Sequence, residues 1–347
     1  MHYIGIDHHR QYSFLTVMDG DGQVVKQGKV LNYRLDMEDF IRDITGSIQA
    51  VIEAGRSSMS MVDVLEDIGI DVKVAHPAEV KAIAHAKIKT DKRDSKILAE
   101  LLRADLIPEV HKKGKDSREA QRVLRQRVFF VGMMTRVKNR IRALLAQQVE
   151  QVNKSVGGFN DLFSLKGIEH LKSLELPSSD RALLNAMLEL FAQLKILIKE
   201  SDKLVDAIFQ QNRDAQRIAT VPGYGKFFSV LIASEIDQIE RFDSAAKLQS
   251  YAGIIPSTNN SGTRCYHGKI IKACNRWIRW AAVEAVWPAI RSDAELRIYY
   301  QKRAFRKNSN TAKVATARRM LSIIYKILKE KRCYVSFQDK IKHRLPS

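Results

Sequence analysis

The stretch Lys89-Thr90-Asp91-Lys92-Arg93-Asp94 opens an apolar-periodic run from Ser95 to Leu106. That periodicity predicts a helix with Thr90 as its N-cap. Residues three apart share a helix face, so Asp91 and Asp94 project side by side and their carboxylates repel each other. A divalent cation would relieve this repulsion. Taken alone, an acidic first turn that complements the helix dipole is the simpler explanation of the pair.

The composition indicates a polyanionic partner. Lys and Arg total 58 of the 347 residues against 39 Asp and Glu, a formal charge of +19, and nucleic acid is the first candidate. With 45% hydrophobic residues, the chain is long enough for two or three domains with their own cores. No apolar run approaches the roughly 18 residues of a membrane-spanning helix, and residues 1–10 are no signal peptide, so we expect a cytoplasmic protein. Three cysteines without CxxC spacing argue against both a disulfide framework and a zinc site.

The first 115 residues alternate short apolar strands with helices. Strands are predicted at 3–6, 12–18, 24–31, 48–52 and 70–75. Helices are predicted at 36–44, before Gly69, and in the stretch that bears Asp91 and Asp94. This β-β-β-α-β-α-β-α order is that of a ribonuclease-H-like or RuvC-like domain, whose first and fourth strands are adjacent. Asp7 and Glu53 follow those two strands, so we expect them to emerge together.

Four carboxylates would then converge from two strand ends and one helix: Asp7, Glu53, Asp91 and Asp94. Hard carboxylate oxygens suit Mg²⁺ or Mn²⁺ better than zinc. Two such ions about 4 Å apart can hold the attacking and leaving oxygens of a phosphodiester in line. For either strand-end residue alone an ordinary role is equally reasonable, because Asp7 can cap a turn and Glu53 can pair with Arg56.

A strongly basic helix is predicted from Ser117 to Gln148. Its apolar positions recur at mostly helical spacing, whereas the remaining faces are dominated by cations. A solvated helix usually mixes the signs of its charges, so we interpret this one as a rod that follows nucleic-acid phosphates, with a bland basic surface as the alternative. The assigned contacts are Arg118, Arg122, Arg125, Arg136, Lys138, Arg140 and Arg142.

After a loop marked by Gly157, Gly158 and Pro177, a second long helix is predicted from Asp180 to about Arg213. Its apolar residues alternate steps of four and three and are typical of a coiled-coil heptad. The seam consists of Leu183, Met187, Leu190, Leu194, Leu197, Leu204 and Ile208. It can pair with the preceding helix or with a second subunit, and we favour the subunit contact. The expected domains are therefore 1–115, a coiled-coil region at 116–215, a mostly helical domain at 216–335 and a tail at 336–347.

The C-terminal third contains a turn with two glycines, two residues apart. Val221-Pro222-Gly223-Tyr224-Gly225 precedes an apolar helix from Phe227 to Ile236 and looks like the turn of a helix-hairpin-helix. Exposed N–H groups at such a helix start can hold a DNA phosphate, here through Gly223, Gly225 and Lys226, although similar turns also connect helices that bind nothing.

A small polar segment at 254–263 is followed by cations on or before a tryptophan-rich helix, among them Arg264, Lys269 and Arg276. An ordinary linker is the simpler interpretation of this segment. The alternative is a nucleophilic hydroxyl surrounded by cations that stabilise the charge of an attacked phosphate. Chemistry alone offers four candidates, Ser257, Thr258, Ser261 and Tyr266.

Together these motifs resemble one known family, the DEDD insertion-sequence transposases related to the pilin-gene invertase and described as bridge-RNA-guided serine recombinases. The resemblance covers nearly the whole chain. It is carried by Gly5-Ile6-Asp7, Glu53-Ala54-Gly55, the Lys89 to Asp94 stretch, Val221-Pro222-Gly223-Tyr224-Gly225, Tyr251-Ala252-Gly253-Ile254-Ile255-Pro256, Ser261-Gly262, Gly268-Lys269-Ile270 and Asn275-Arg276-Trp277-Ile278-Arg279.

The resemblance implies an α/β plus α architecture: a RuvC-like domain that holds metal through the four carboxylates, a coiled-coil linker, and a mostly helical transposase domain. On that pattern Ser261 attacks DNA and forms a covalent phosphoserine. The family also implies double-stranded donor and target DNA, a structured noncoding guide RNA, and a dimer that assembles to a tetramer with active sites shared between subunits. Our candidate for part of the RNA-binding surface is the basic helix at 118–142. It places the protein in a bacterial or archaeal cell, associated with the nucleoid.

The sequence departs from the family pattern near Asp7 and Ser261. His8-His9-Arg10 follows Asp7 where relatives commonly carry a lysine, and these three residues receive no role. Asn260 stands where relatives often have the first of two serines, which favours Ser261 as the nucleophile. Two other functions remain: a Holliday-junction-type endonuclease that uses the carboxylates and water, and a non-catalytic RNA-binding scaffold.

Overall fold

The structure is a computed structural model that describes residues 1–84, 90–261, 264–270 and 274–335, with the backbone alone at 256–261 and 264–270. Lys89, Gly262 and the predicted tail at 336–347 lie outside the described residues, as do the side chains of Ser261, Arg264 and Lys269. The chain divides into two compact units, Met1–Lys112 and a second that begins at Lys113. The first is mixed α/β and the second is mostly helical.

The first unit is built on one sheet. Its described elements are β1 (His2–His8), β2 (Tyr12–Met18), β3 (Val24–Leu31), α1 (Arg34–Ile41), β4 (Ile48–Glu53), α2 (Ser58–Asp67), β5 (Asp71–Ala75), α3 (Pro77–Ile83) and α4 (Asp91–Arg103). The strand order is β3-β2-β1-β4-β5. β1 is antiparallel to β2 and parallel to β4, with Ile6 opposite Ile52. The predicted adjacency of the first and fourth strands is confirmed.

Local patterns determine most of these bounds. β2 and β3 have the predicted limits, because Asp19 ends the first strand and its side chain accepts hydrogen bonds from the N–H groups of Asp21 and Gln23 in the turn between them. Helix α3 has no counterpart in the prediction, since its seven residues are too few to establish a helical period.

Helix α4 approaches β1 closely because Gly5 has no side chain. A Cβ at Gly5 would lie 1.9 Å from the carbonyl oxygen of Ser95 and 2.4 Å from the nitrogen of Ala99. The hydroxyls of Thr16 and Ser95 share a buried hydrogen bond of 2.7 Å, which joins the helix to β2. These contacts fix α4 on the sheet and thereby bring its first turn to the site at the end of β1.

The second unit is helical apart from one hairpin in its described residues. Its elements are α5 (Lys115–Leu145), α6 (Glu150–Gly157), α7 (Leu165–Ser173), α8 (Ser178–Gln211), α9 (Arg213–Ala219), α10 (Lys226–Ile236), a 3₁₀ turn (Ile239–Arg241), α11 (Ala245–Tyr251), β6 (Pro256–Ser261), β7 (Arg264–Ile270), α12 (Arg276–Glu284), α13 (Val286–Ser292), α14 (Ala294–Arg306) and α15 (Ser309–Lys329). Helices α6 and α7 occupy a stretch for which the sequence predicts only a loop.

The two long helices, α5 and α8, pack against each other within the chain. The buried apolar side chains of α8 are Leu184, Leu188, Phe191, Leu194 and Val205. Most lie one position along from the predicted seam. Four seam leucines, which we call the leucine stripe, are 53%, 42%, 37% and 55% exposed: Leu183, Leu190, Leu197 and Leu204. The helix thus has two apolar faces, one covered by α5 and one exposed in the single chain.

The segment at 254–263 contains a strand, so the expectation of an ordinary polar loop is wrong for its backbone. β6 pairs antiparallel with β7, and Ser261, the last residue of β6, stands opposite Arg264, the first residue of β7. Strand formation here depends on the partner strand more than on intrinsic preference, and the small polar residues of β6 carry little β signal of their own.

Candidate active site

A cleft of about 320 Å³ lies at the carboxyl ends of β1 and β4. Asp7, Glu53 and Asp94 all line it. Asp7 and Glu53 directly follow the paired residues Ile6 and Ile52, so they occupy equivalent places on adjacent parallel strands. Asp94 comes from the first turn of α4. Three of the four carboxylates singled out in the sequence therefore share one cleft.

The fourth carboxylate is grouped with Asp7 through a histidine. Nε2 of His9 lies 3.3 Å from Oδ2 of Asp7 and 3.3 Å from Oδ2 of Asp91. The hydroxyl of Tyr12 donates a 3.0 Å hydrogen bond to the same oxygen of Asp91. One ligand atom from each of Asp7, His9 and Asp91 lies within 4.8 Å of the other two, which is close enough to share one ion. Asp7 thus belongs to both groups.

Two aspartates of the site have pKa values shifted in opposite directions. Burial raises the pKa of Asp7, His9 lowers it, and the carboxylates of Asp91 and Asp94 raise it further, with the net effect upward. The hydrogen bond from Tyr12 is the main reason why the pKa of Asp91 is lowered. Asp7 is therefore a partly buried carboxylate close to two others, and this arrangement fits a divalent cation bound by oxygen ligands.

The start of α4 orients its two aspartates. The hydroxyl of Thr90 accepts a hydrogen bond from the N–H of Arg93 at 3.3 Å, so the predicted N-cap is confirmed. Asp91 and Asp94 occupy the first turn, where the positive end of the helix dipole favours carboxylates. Lys92 and Arg93 are exposed. The repulsion between the two carboxylates must therefore be offset by groups other than these two side chains.

His9 and Tyr12 are candidate site residues that the sequence reasoning did not assign. Both depend on the tight reversal between β1 and β2, in which the N–H of His9 donates to the carbonyl of Tyr12 at 2.9 Å. The polar run after Asp7 is a signal of such a turn, but it does not indicate which of three polar side chains returns toward the carboxylates.

The predicted nucleic-acid contacts on α5 divide into two sets. Arg122, Arg136 and Arg140 are exposed. Others make internal contacts: Arg125 donates to Glu235 at 2.9 Å, and Lys138 lies 5.0 Å from the ring centre of Phe163. Arg118 is half-buried, and Arg142 lies 5.2 Å from the same phenylalanine ring. The first set is available to phosphates, whereas the second also stabilises the unit.

The glycine turn lies between α9 and α10. Gly223 has φ +92°, and a Cβ there would lie 2.2 Å from the carbonyl oxygen of Ala285, so this glycine permits a close approach of two backbones. Gly225 is exposed as the N-cap residue of α10. Lys226 forms an ion pair of 3.0 Å with Asp206. The exposed start of α10 is thus the part of this turn that is open to a phosphate.

A buried carboxylate, that of Glu235, joins α10 to Lys113, α5 and Asn275. The side chain of Glu235 is 2% exposed and accepts hydrogen bonds from Lys113 at 2.5 Å, Arg125 at 2.9 Å and Asn275 at 2.7 Å. The N–H of Asn275 in turn donates to the carbonyl of Tyr251 at 2.7 Å, which joins the residues before and after the hairpin.

Arg276, the remaining predicted contact, is exposed at the first position of α12.

Two transposase models match the chain in different regions. A transposase model of the DEDD type found in IS110 elements covers residues 4–149, which include the four carboxylates. The model of the transposase IS116/IS110/IS902 family covers residues 215–301, which include Ser261. The two stretches together account for most of the chain.

Curated relatives agree with these matches. The chain is 22% identical to the transposase for insertion sequence element IS1111A of Coxiella burnetii, over 77% of this chain and 74% of the relative. It is also 22% identical to the insertion element IS116 uncharacterized 44.8 kDa protein of Streptomyces clavuligerus, over 96% of both chains. A mini-circle putative transposase for IS117 of Streptomyces coelicolor is 28% identical over 37% of this chain and 32% of its own length.

No helix among the described residues is long and apolar enough to span a bilayer.

Proposed function

We propose that the chain is a transposase of the IS110/IS116/IS902 family and acts as a metal-assisted, site-specific DNA recombinase that cleaves DNA and transfers strands; the matches over residues 4–149 and 215–301 support the family assignment. The observation that carries this proposal is the cleft in which Asp7, Glu53 and Asp94 meet, with Asp91 joined to Asp7 through His9. The strand order β3-β2-β1-β4-β5 supports a ribonuclease-H-like, RuvC-like assignment of the first unit.

The four carboxylates would hold Mg²⁺ or Mn²⁺, which when bound stabilises charge on the phosphate and activates the attacking oxygen. The chain itself contributes the positions of the ligands. The register of β1 and β4 holds Asp7 beside Glu53, and the Thr90 cap fixes the first turn of α4. Tyr12 holds one oxygen of Asp91 through its hydroxyl. Ligands held in advance bind an ion without a further cost of ordering.

We assign Ser261, at the end of β6, as the nucleophile. Its hydroxyl oxygen would bond to the phosphorus of the scissile phosphodiester, the bond from phosphorus to the leaving oxygen would break, and the hydroxyl proton would pass to that oxygen. The phosphoserine conserves the ester, so the hydroxyl of a second strand can attack it, reseal the DNA and restore the serine without ATP. The family match over 215–301 and the nearby cations Arg264, Lys269 and Arg276 support this assignment.

The partners follow from charge and from the family. The formal charge of +19 and the exposed arginines of α5 support binding of donor and target DNA. We further propose that a structured noncoding RNA selects the target, that α5 forms part of its binding surface, and that the protein acts at the nucleoid. RNA of this kind is recognised through its shape and backbone as well as through unpaired bases.

A second copy of the chain is the proposed partner of the leucine stripe on α8. The stripe repeats every seven residues, as expected of a coiled-coil seam, and its four side chains are exposed in the single chain. Burying one leucine contributes about 1.5–3 kcal/mol, so four on each subunit can support a dimer. On the family pattern, such dimers assemble to tetramers whose active sites combine carboxylates and serine from different subunits.

A metal-dependent Holliday-junction-type endonuclease without a covalent intermediate is the second candidate function. It is favoured by the position of all four carboxylates within the first unit, three of them in one cleft, which fits hydrolysis by water as well as strand transfer.

A suicide DNA substrate, nicked so that the cleaved strand cannot be resealed, separates the two functions. We expect a denaturant-resistant protein–DNA adduct with the wild type and with Ser257→Ala, a control on the same strand, and none with Ser261→Ala. Cleavage by the wild type without any adduct would favour the endonuclease. An adduct on Ser261→Ala would remove the serine assignment.

A further inference from the structure

We infer that His9 is itself a ligand of the metal ion, and that its imidazole nitrogen biases the site toward Mn²⁺ over Mg²⁺. The inference rests on the proposed function, because the ion is the one that the four carboxylates would hold. It adds a nitrogen donor to a site whose other candidate ligands are all oxygens.

The geometry of Nε2 is the first argument. This nitrogen is shielded from solvent and meets neither carboxylate in good hydrogen-bond geometry, although it lies 3.3 Å from Oδ2 of both Asp7 and Asp91. A histidine paired with a single carboxylate would direct an N–H at one oxygen, at about 2.7–2.9 Å. Two equal and longer distances are closer to the spacing of neighbouring ligands on one ion, because ligands bound at about 2.1–2.2 Å and at right angles lie about 3 Å apart.

The backbone of His9 is held from two sides. Its N–H donates to the carbonyl of Tyr12 at 2.9 Å, and its carbonyl accepts from the side-chain amide of Asn32 at 2.7 Å. The rings of His9 and Tyr12 lie 4.8 Å apart between centres, and Nζ of Lys29 lies 3.8 Å from the centre of the tyrosine ring. The imidazole is thus held beside Asp91 by the same tyrosine that binds that carboxylate. Such support is typical of metal ligands.

The neighbouring residue, His8, has a structural role. Nδ1 of His8 lies 2.9 Å from the hydroxyl of Ser13, and its Nε2 lies 3.1 Å from the hydroxyl of Ser57. Both of its ring nitrogens therefore have protein partners. His9 has instead a buried nitrogen that faces two carboxylates, so the two adjacent histidines offer a matched pair for experiment.

The choice of ion follows from the donor type. Mg²⁺ strongly prefers oxygen ligands and keeps much of its water, whereas transition-metal ions accept imidazole readily. Mn²⁺ accepts both carboxylate and imidazole. A site with carboxylates alone would treat the two ions more evenly than a site that adds the nitrogen of His9.

Pulsed electron paramagnetic resonance on the full chain loaded with one equivalent of Mn²⁺ tests the inference directly. Electron spin-echo modulation from a directly bound imidazole ¹⁴N is expected in the wild type and in His8→Gln, and is expected to be absent in His9→Gln. Competition between Mg²⁺ and Mn²⁺ gives a second readout: the preference for Mn²⁺ should fall about tenfold in His9→Gln, similar to the loss of one supporting contact at a metal site, and should be unchanged in His8→Gln.

Mn²⁺ that binds the wild type without ¹⁴N modulation would overturn the ligand role of His9 and leave the carboxylate site intact. Modulation that persists in His9→Gln would have the same meaning, because the nitrogen would then come from another histidine. The wild-type spectrum decides even if the variant folds poorly. If the wild type and Asp94→Asn both fail to bind Mn²⁺, the proposed metal site fails together with the inference.

Discussion

The carboxylate cleft of the first unit and the basic helix α5 of the second unit use like charges in opposite ways. In the cleft, acids distant in sequence converge, and burial together with neighbouring carboxylates raises the pKa of Asp7. Along the 31 residues of α5, the exposed arginines are spread out, and several other cations have internal partners. Converging like charges destabilise the chain and indicate a small counter-ion. Like charges spread along a helix cost little and indicate a long polyanion.

The largest expected effect comes from the cleft. Asp94→Asn should lower the rate of strand exchange by about a thousandfold or more, because loss of a metal ligand removes several kcal/mol of transition-state stabilisation. Metal-free stability should not fall, since the carboxylate of Asp94 contributes to the repulsion at Asp7. A strand-transfer assay and thermal unfolding measure the two effects. Asp43→Asn, at an exposed carboxylate that pairs with Lys26, is the control and should stay active. Full activity of Asp94→Asn would show that strand exchange does not need Asp94 as a metal ligand.

The second-largest effect concerns the leucine stripe of α8, which is apolar and therefore lies outside the comparison of like charges. The double variant Leu190→Glu, Leu197→Glu should weaken self-association by about a hundredfold or more, because each buried leucine contributes about 1.5–3 kcal/mol. Light scattering after size exclusion measures the change. Phe305→Glu, at a side chain that is 94% exposed on α14, is the control. A double variant that assembles like the wild type would show that the stripe is not the subunit contact.

A smaller effect tests how the cleft is built. Gly5→Ala should destabilise the first unit by about 1–3 kcal/mol, because the new Cβ overlaps the backbone of α4 at Ser95 and Ala99. Denaturant unfolding measures this, and the metal affinity should fall as the first turn of α4 shifts. Gly20→Ala is the matched control, since a Cβ there has no neighbour within 4 Å. Equal stability of the two variants would mean that α4 does not depend on Gly5.

The smallest effect tests the exposed arginines of α5, the second region of the comparison. Removing two exposed cations with Arg136→Ala and Arg140→Ala should reduce the slope of log affinity against log salt by about two, since each phosphate contact releases roughly one counter-ion. Salt titrations of DNA and RNA binding measure the slope. Arg42→Ala, at an exposed arginine of the first unit, is the control. An unchanged slope would exclude these arginines from the phosphate contacts.

The sequence predicts the cleft better than the helices around it. The register that joins Asp7 to Glu53 follows from short apolar strands, and the Thr90 cap follows from one local hydrogen bond. The role of His9 is different. It depends on a chain reversal that brings one of three consecutive polar side chains back to Asp91, and no periodic pattern records this choice.

The second unit shows the opposite limit. α8 is apolar on two faces. Its sequence therefore contains an apolar heptad pattern, but the pattern does not show which face packs against α5. Leu184 and Leu188 are buried, whereas Leu183 and Leu190 are exposed. The hairpin at Ser261 depends on pairing between two segments, and single-segment preferences do not contain that information.

An anomalous-difference map from crystals of the full chain soaked in Mn²⁺ tests the metal centre most directly. We predict a peak in the cleft within about 2.0–2.3 Å of a carboxylate oxygen of Asp7 and of at least one of Glu53, Asp91 and Asp94. A map with no peak in the cleft, or with ions bound only at other carboxylates, would contradict the proposal that these four acids hold the metal.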